Sequence, residues 1–337
     1  MEIDIFDYYL PKELIAQEPL KERDKARLLV LYKDSGKIEH KFFYELPYFL
    51  EEGDLLVLNN TKVIKAKLIL TLDTGGKLEA LLIRGNKNLI EIKAKKAKKL
   101  KEGREIYFKD GTKGVVKKVL DEGKRLIEIK DVENYIDFID KVGDVPLPPY
   151  IKNKNINEDD YQTIFGEYLG SIAAPTAGLH FTENLINKLK EKGVKIEYVT
   201  LHVSTPTFEP IKEKSLDKVK LGEEWIEVNE KVLNEIKSTK LNKKRIIAVG
   251  TTVVRTLETV ARIEGIKEYK GTTDLFIKPP FEFKFVDALI TNFHLPKTTL
   301  LVLVCAFGGI ENVLNAYKVA INERYRFYSF GDAMLII

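Results

Sequence analysis

The run Gly170-Ser171-Ile172-Ala173-Ala174-Pro175-Thr176-Ala177-Gly178-Leu179-His180-Phe181 has the composition of a ligand wall. Small side chains let a ligand approach the backbone closely, and glycine accepts conformations that other residues avoid. At its end stand an imidazole, able to move a proton near neutral pH, and an aromatic ring. Thr182 and Glu183 follow as an N-cap and a first-turn acid, so a helix begins there. The unpaired N–H groups of such a helix end favour an anion. A tight structural loop accounts for the same composition, and the rest of the chain has to decide between the two.

Three other places carry related chemistry. Arg245-Ile246-Ile247-Ala248-Val249 reads as a buried strand that turns through Gly250-Thr251-Thr252 into a helix with Val253, Val254, Leu257, Val260 and Ala261 on one side. Such a turn holds an anionic group at a helix N-terminus, although neither the GxGxxG nor the P-loop spacing is present. Arg255 lies in the first turn, where a cation opposes the helix dipole, and that local cost points to a role. A further strand runs from Val286 into Asn292-Phe293-His294-Leu295-Pro296, and another from Gly53 into Asn59-Asn60-Thr61. The carboxyl ends of strands form the ligand crevice of open α/β sheets. His294 and Gly250-Thr251-Thr252 stand at such ends, as do Asn292 and Asn60. His202 ends a strand-like stretch over 194–203 and faces either the core or a ligand. Near the N-terminus, Arg23 and Arg27 flank Asp24 ahead of an apolar strand; they either hold a phosphate or carboxylate or form a structural ion pair.

These residues need a scaffold, and the chain supplies two kinds. Residues 1–62 and 145–337 show the rhythm of an α/β domain. They include a short helix from Leu14 ended by Pro19, helices over 183–192 and 298–307, a charged loop over 209–224, a short strand over 225–228 and a last strand over 334–337. Residues 63–144 differ. Short strands are predicted at 67–72, 77–83, 89–94, 105–109, 114–120 and 125–130, separated by turn-like pairs such as Gly75-Gly76 and Asp110-Gly111. Six strands with little helix between them suggest an inserted all-β barrel. The proline-rich Val145-Pro146-Leu147-Pro148-Pro149-Tyr150 is a stiff exit from it.

The net charge of +4 is unevenly spread: residues 61–130 hold 20 Lys and Arg against 9 Asp and Glu, a local excess of 11. A basic module steers towards phosphate-rich partners. Its lysine run, with Lys95, Lys96, Lys98 and Lys99, suits a nucleic-acid backbone, giving affinity and salt dependence without sequence reading. A solvated face is the ordinary alternative. Hydrophobic residues at 44% and charged residues at 31% describe a folded globular chain. The longest apolar run, 300–307, is far short of a membrane span, and the acidic N-terminus lacks a signal-peptide layout. Cys305 is the single cysteine and the four histidines (His40, His180, His202 and His294) are scattered, so neither a disulfide nor a metal site is expected. A cytoplasmic monomer is the expectation.

Lined up in order, Leu14-Ile15-Ala16-Gln17, Gly143 to Tyr150, Tyr161-Gln162-Thr163, Ala173 to Phe181, Ala248 to Arg255, Asp287 to Pro296 and Tyr325 to Met334 span nearly the whole chain. In them it closely resembles the S-adenosylmethionine:tRNA ribosyltransferase-isomerase family of queuosine biosynthesis. The resemblance implies an α/β main domain with an inserted small all-β barrel. It also implies transfer and isomerisation of the ribosyl part of S-adenosylmethionine onto 7-aminomethyl-7-deazaguanine at the wobble position of tRNA. Epoxyqueuosine-tRNA forms, and adenine and methionine leave. S-adenosylmethionine is then a co-substrate, with no permanently bound cofactor. A base must take a proton from the carbon beside the sulfonium, and His180 or His202 is the candidate. Asn60, Ala174, Pro175, Thr176, Gly250, Thr251, Thr252, Arg255, Asn292 and His294 are the candidate substrate contacts, with Thr251 and Thr252 near the methionine carboxylate and Phe181 stacking on a base. Arg23, Arg27 and the four lysines are the candidate RNA contacts. The chain departs from the family pattern at 60–67, where lysines replace arginines and a proline. It departs again at Ser204-Thr205-Pro206, in place of a glycine-bearing turn, and at 218–224, where histidines are missing. A non-catalytic tRNA-binding homologue and an S-adenosylmethionine-dependent RNA methyltransferase are the competing readings.

Overall fold

A run of apolar residues needs cover on both faces, and the strand Leu55–Asn59 has it. Leu55 and Val57 pack into one core, Leu56 and Leu58 into another. The computed structural model describes residues 1–148, 150–153, 156–203 and 210–337. In chain order, β1 (Arg27–Leu31), β2 (Ile38–Phe42), β3 (Leu55–Asn59) and β4 (Thr61–Val63) come first. The barrel strands follow: β5 (Lys67–Leu72), β6 (Lys77–Asn86), β7 (Leu89–Ala94), β8 (Glu105–Tyr107), β9 (Lys113–Val119) and β10 (Lys124–Ile129). Then come α1 (Tyr135–Val142), β11 (Tyr168–Ser171), α2 (Glu183–Glu191), β12 (Lys195–His202), β13 (Glu224–Val228), α3 (Glu230–Leu241), β14 (Ile246–Val249) and α4 (Thr251–Val260). The last elements are β15 (Tyr269–Thr273), β16 (Ala288–Asn292), α5 (Thr299–Gly308), α6 (Ile310–Asn322) and β17 (Ala333–Ile336).

The main sheet has nine strands in the order β15-β13-β12-β3-β14-β16-β17-β1-β2. Its centre, β12-β3-β14-β16, is parallel throughout. The carboxyl ends at His202, Asn59, Val249 and Asn292 therefore lie along one edge. Side chains of α3, α4, α5 and α6 close the core on one face, and those of α2 close the other. Thr182, Asn229 and Thr298 cap α2, α3 and α5 by accepting a backbone N–H.

The six barrel strands close in the order β10-β7-β6-β5-β8-β9, every pair antiparallel. Alternate residues such as Leu68, Leu70, Ile90, Ile92 and Ile127 fill it, and α1 plugs it with Phe138, Ile139 and Val142. The α/β domain with an inserted barrel expected from the sequence is thus the observed fold, with β6 running three residues beyond the predicted end. Entry and exit of the insertion are stitched together: the Lys67 N–H donates to the Asp144 carbonyl (3.0 Å) and the Asp144 N–H to that of Lys67 (2.9 Å).

The helix expected from Leu14 is a correction. A single 3-10 turn, Lys12–Leu14, stands there, because the following backbone pairs elsewhere: the Ala16 N–H donates to the Phe327 carbonyl and the Phe327 N–H to that of Leu14. The charged stretch before β13 contains one 3-10 turn, Leu216–Lys218, anchored by buried Leu216. Residues 204–206 lie outside the described residues. No single helix among the described residues is long and apolar enough to cross a membrane.

Candidate functional site

Small residues at the carboxyl edge of the sheet leave an open cleft. One wall is Ala173, Ala174, Pro175, Thr176 and Ala177, and the opposite wall is Gly250, Thr251, Thr252 and Arg255. Thr291, Asn292 and His294 form the floor beyond β16, with Val203, Glu224, Tyr328 and Ser329 completing it. The first wall is tied to β12 through Ser171, whose hydroxyl donates to the Ala173 carbonyl (2.7 Å) and accepts from the Val203 N–H (3.0 Å). Gly250 turns the chain from β14 into α4 at φ +93°, a conformation that favours glycine. The first turn of α4 thereby faces the cleft.

Two hydrogen-bond systems set the polar groups. The Thr176 hydroxyl donates to Asn292 Oδ1 (2.9 Å), while Asn292 Nδ2 donates to the Tyr328 carbonyl (3.2 Å) and lies 3.4 Å from His180 Nε2. On the other side Arg255, the fifth residue of α4 and so in its second turn rather than the first as expected, is buried, forms an ion pair with Glu224 and donates from Nε to the Leu275 carbonyl (3.1 Å). His294 Nε2 lies 3.0 Å from the Thr291 hydroxyl, and burial pushes its pKa down to about 3, leaving a neutral imidazole in the cleft.

A second, smaller cleft shares Ser329 with the first in its lining. Arg23, Asp160, Leu179, His180, Phe330 and Gly331 line it. His180 therefore stands behind the larger cleft and reaches it only through Asn292. Burial lowers the His180 pKa to about 4, against a hydrogen bond with the Arg23 backbone that favours the proton.

Several expectations change. Phe181 is fully buried against Phe43 (ring centroids 5.1 Å apart, edge on), because the chain turns inward to start α2, so it stacks on no ligand. Asn60 accepts from Thr200 (2.8 Å), and its backbone carbonyl receives the N–H groups of Glu167 and Tyr168. It ties β11 to the sheet. Its neighbour Asn59 is the residue that reaches α4, through Thr252 Oγ1 (3.3 Å). His202 points away from the cleft, since Val203 lines it and alternate strand residues face opposite sides. Its Nδ1 meets the Thr61 hydroxyl at 2.7 Å, and burial lowers its pKa, with Glu227 opposing. Gly170 packs on this ring so closely that a Cβ there would lie 2.6 Å from Nε2.

The arginines are held by the fold. Arg23 donates to the carbonyls of Gln162 (2.9 Å) and Asp159 (3.2 Å), and Arg27 donates to that of Glu323 (2.9 Å) while its guanidinium covers the Tyr325 ring. For these two the geometry supports the structural alternative over RNA contact. Lys95, Lys96, Lys98 and Lys99 are exposed on the barrel, with Lys95 paired to Glu79 (2.6 Å). Sequence reading missed Glu224, Thr291 and Ser329. For Glu224 the signal was the alternation Glu224-Trp225-Ile226-Glu227-Val228, which puts it on the buried side with Ile226 and Val228.

A family model described as a queuosine biosynthesis protein matches residues 3–336. The chain belongs to the queuosine biosynthesis family. An S-adenosylmethionine:tRNA ribosyltransferase-isomerase of Thermosipho melanesiensis is 50% identical over 337 residues, covering 100% of each chain. That of Halothermothrix orenii is 47% identical over 341 residues, again over 100% of both. Among solved structures, the S-adenosylmethionine tRNA ribosyltransferase of Thermotoga maritima is 42% identical with a TM-score of 0.59, covering 99% of this chain and 100% of its own. As a member of this family the chain is an enzyme, a transferase and isomerase that acts in tRNA modification.

Proposed function

We propose that the chain transfers and isomerises the ribosyl group of S-adenosylmethionine onto 7-aminomethyl-7-deazaguanine at the tRNA wobble position, in the cytoplasm, yielding epoxyqueuosine-tRNA, adenine and methionine. The observation that carries this is that two clefts lie side by side, with Ser329 in the wall of both. A transfer between two substrates needs adjoining sites whose occupants touch, and positioning alone supplies much of the rate. In this reading the larger cleft takes S-adenosylmethionine and the smaller one receives the wobble base.

The sulfonium acidifies the neighbouring carbon, and a base removes that proton. Of the histidines, His294 stands in the larger cleft itself, neutral through burial and able to accept a proton. His180 acts as a positioning residue through Asn292, and His202 belongs to the strand packing. Adenine leaves with a proton as its bond to the sugar breaks, the amine of the base bonds to the sugar-derived carbon skeleton and gives up a proton, and a sugar oxygen closes the epoxide as the C–S bond breaks and methionine departs. Exposed barrel lysines supply phosphate contacts to the tRNA.

Incubation with S-adenosylmethionine and tRNA bearing the modified base tests the reading. Adenine and free methionine are the expected products. S-adenosylhomocysteine would identify a methyltransferase, and tRNA binding without either product would identify a non-catalytic homologue.

A further inference from the structure

A buried ion pair is expensive to hold in a cleft wall. Taking two charges out of water costs several kcal/mol each, and apolar residues of similar volume often serve stability equally well. Glu224 and Arg255 are such a pair, with side chains only 3% and 6% exposed, and both line the larger cleft. They come from different elements, the first residue of β13 and the fifth residue of α4. Arg255 is fixed from behind by the carbonyls of Leu275 (3.1 Å) and Thr273 (3.5 Å). Three of its five N–H groups thus have partners, and two are left without one among the described residues. Thr251 and Thr252, the first two residues of α4, line the same cleft, and a helix N-terminus adds positive potential there.

We propose that the Glu224–Arg255 pair is the recognition site for an α-amino acid zwitterion, the methionine end of the sulfonium co-substrate. This rests on the S-adenosylmethionine reading above. A zwitterion carries one charge of each sign about 3 Å apart, and a fixed ion pair of matching size offers each of them an opposite partner. The α-carboxylate lies against the free Arg255 N–H groups and the α4 N-terminus, while the α-ammonium lies against the Glu224 carboxylate. Neither protein charge loses its existing partner, so the four charges alternate and the desolvated pair becomes better satisfied with ligand than without. A neutral nucleoside, or an anion alone, leaves half of this arrangement unmatched. Among the described residues that line the cleft, Glu224 is the one carboxylate, which makes it the group that discriminates for an ammonium.

Calorimetry on the full-length enzyme tests this with three ligands: S-adenosylmethionine, its decarboxylated form, and the 2-oxo analogue in which a keto oxygen replaces the ammonium. Each analogue is expected to bind at least about 30-fold more weakly than the parent, the scale of a lost charged hydrogen bond. Glu224→Gln should remove the penalty for the 2-oxo analogue and keep that for the decarboxylated one; Arg255→Met should do the reverse. The wild-type series needs no substitution and can overturn the site by itself, while an altered 2-oxo penalty in a milder variant, Glu224→Asp, ties it to this pair where Glu224→Gln fails to fold. Binding of all three within threefold would overturn the zwitterion site and leave the co-substrate reading standing. No binding of S-adenosylmethionine would overturn both.

Discussion

His180 Nε2 lies 3.4 Å from the side-chain nitrogen of Asn292, and Asn292 stands between this histidine and the larger cleft. The amide cannot turn freely, because its other bonds go to Thr176 and the Tyr328 carbonyl. His180 is thereby a brace for the cleft floor. His180→Gln should lower the single-turnover rate by about 10-fold, short of the 10²–10⁴ associated with losing a general base. The pH profile of the rate should keep its shape. Loss of a titrating limb in that profile would show that His180 itself moves the proton.

Two buried neutral histidines make the fold sensitive to acid in a defined window. His180 and His294 have folded pKa values of about 4 and about 3, below the ordinary 6.5 of an unfolded chain. Between these limits the unfolded chain binds protons that the folded one refuses. Stability is therefore complete above pH 6.5 and falls as the pH drops towards the folded values. The loss should reach about 2 kcal/mol per histidine at pH 5. Urea midpoints from pH 7.5 to 5 check this, and His180→Gln should flatten the slope by about one proton.

Gly170 presses its backbone on the His202 ring, with no room for a methyl group. Gly170→Ala should destabilise by about 1–3 kcal/mol, the usual cost of overpacking. His202→Ala in the same chain should return most of that loss. Additive effects in this double-mutant cycle, read by thermal or urea unfolding, would contradict the contact.

The lysine face of the barrel should show itself through salt. Replacing Lys96, Lys98 and Lys99 by Ala leaves the barrel core untouched, since all three are exposed. Affinity for tRNA should drop, and the slope of log K against log salt should shrink by about 0.7 to 0.9 per lost phosphate contact. An unchanged slope would remove this face from the RNA interface.

The barrel was legible strand by strand because most of its strands alternate and its turns carry glycine or polar pairs, so local pattern and final structure agree to within a few residues at the strand ends. The same holds for the Gly250-Thr251-Thr252 turn and the 173–177 wall, whose small residues suit a cleft wherever the chain takes them. Strands β2, β4, β11 and β15 were not legible, being short and partly polar, with their pairing decided by neighbours distant in sequence. The roles of the histidines were hidden for a related reason. A side chain's type shows what proton chemistry it can perform, but the face of a strand and the packing behind a turn decide where it performs it. By itself the sequence determined the two-part architecture, the family and the sheet edge along which the candidate site lies. Tertiary structure decided that Phe181 and His202 serve packing, that His180 braces Asn292, and that Glu224 meets Arg255. Those outcomes depend on which buried surfaces meet across 31 to 141 residues of chain, a long-range competition for space that no local pattern encodes.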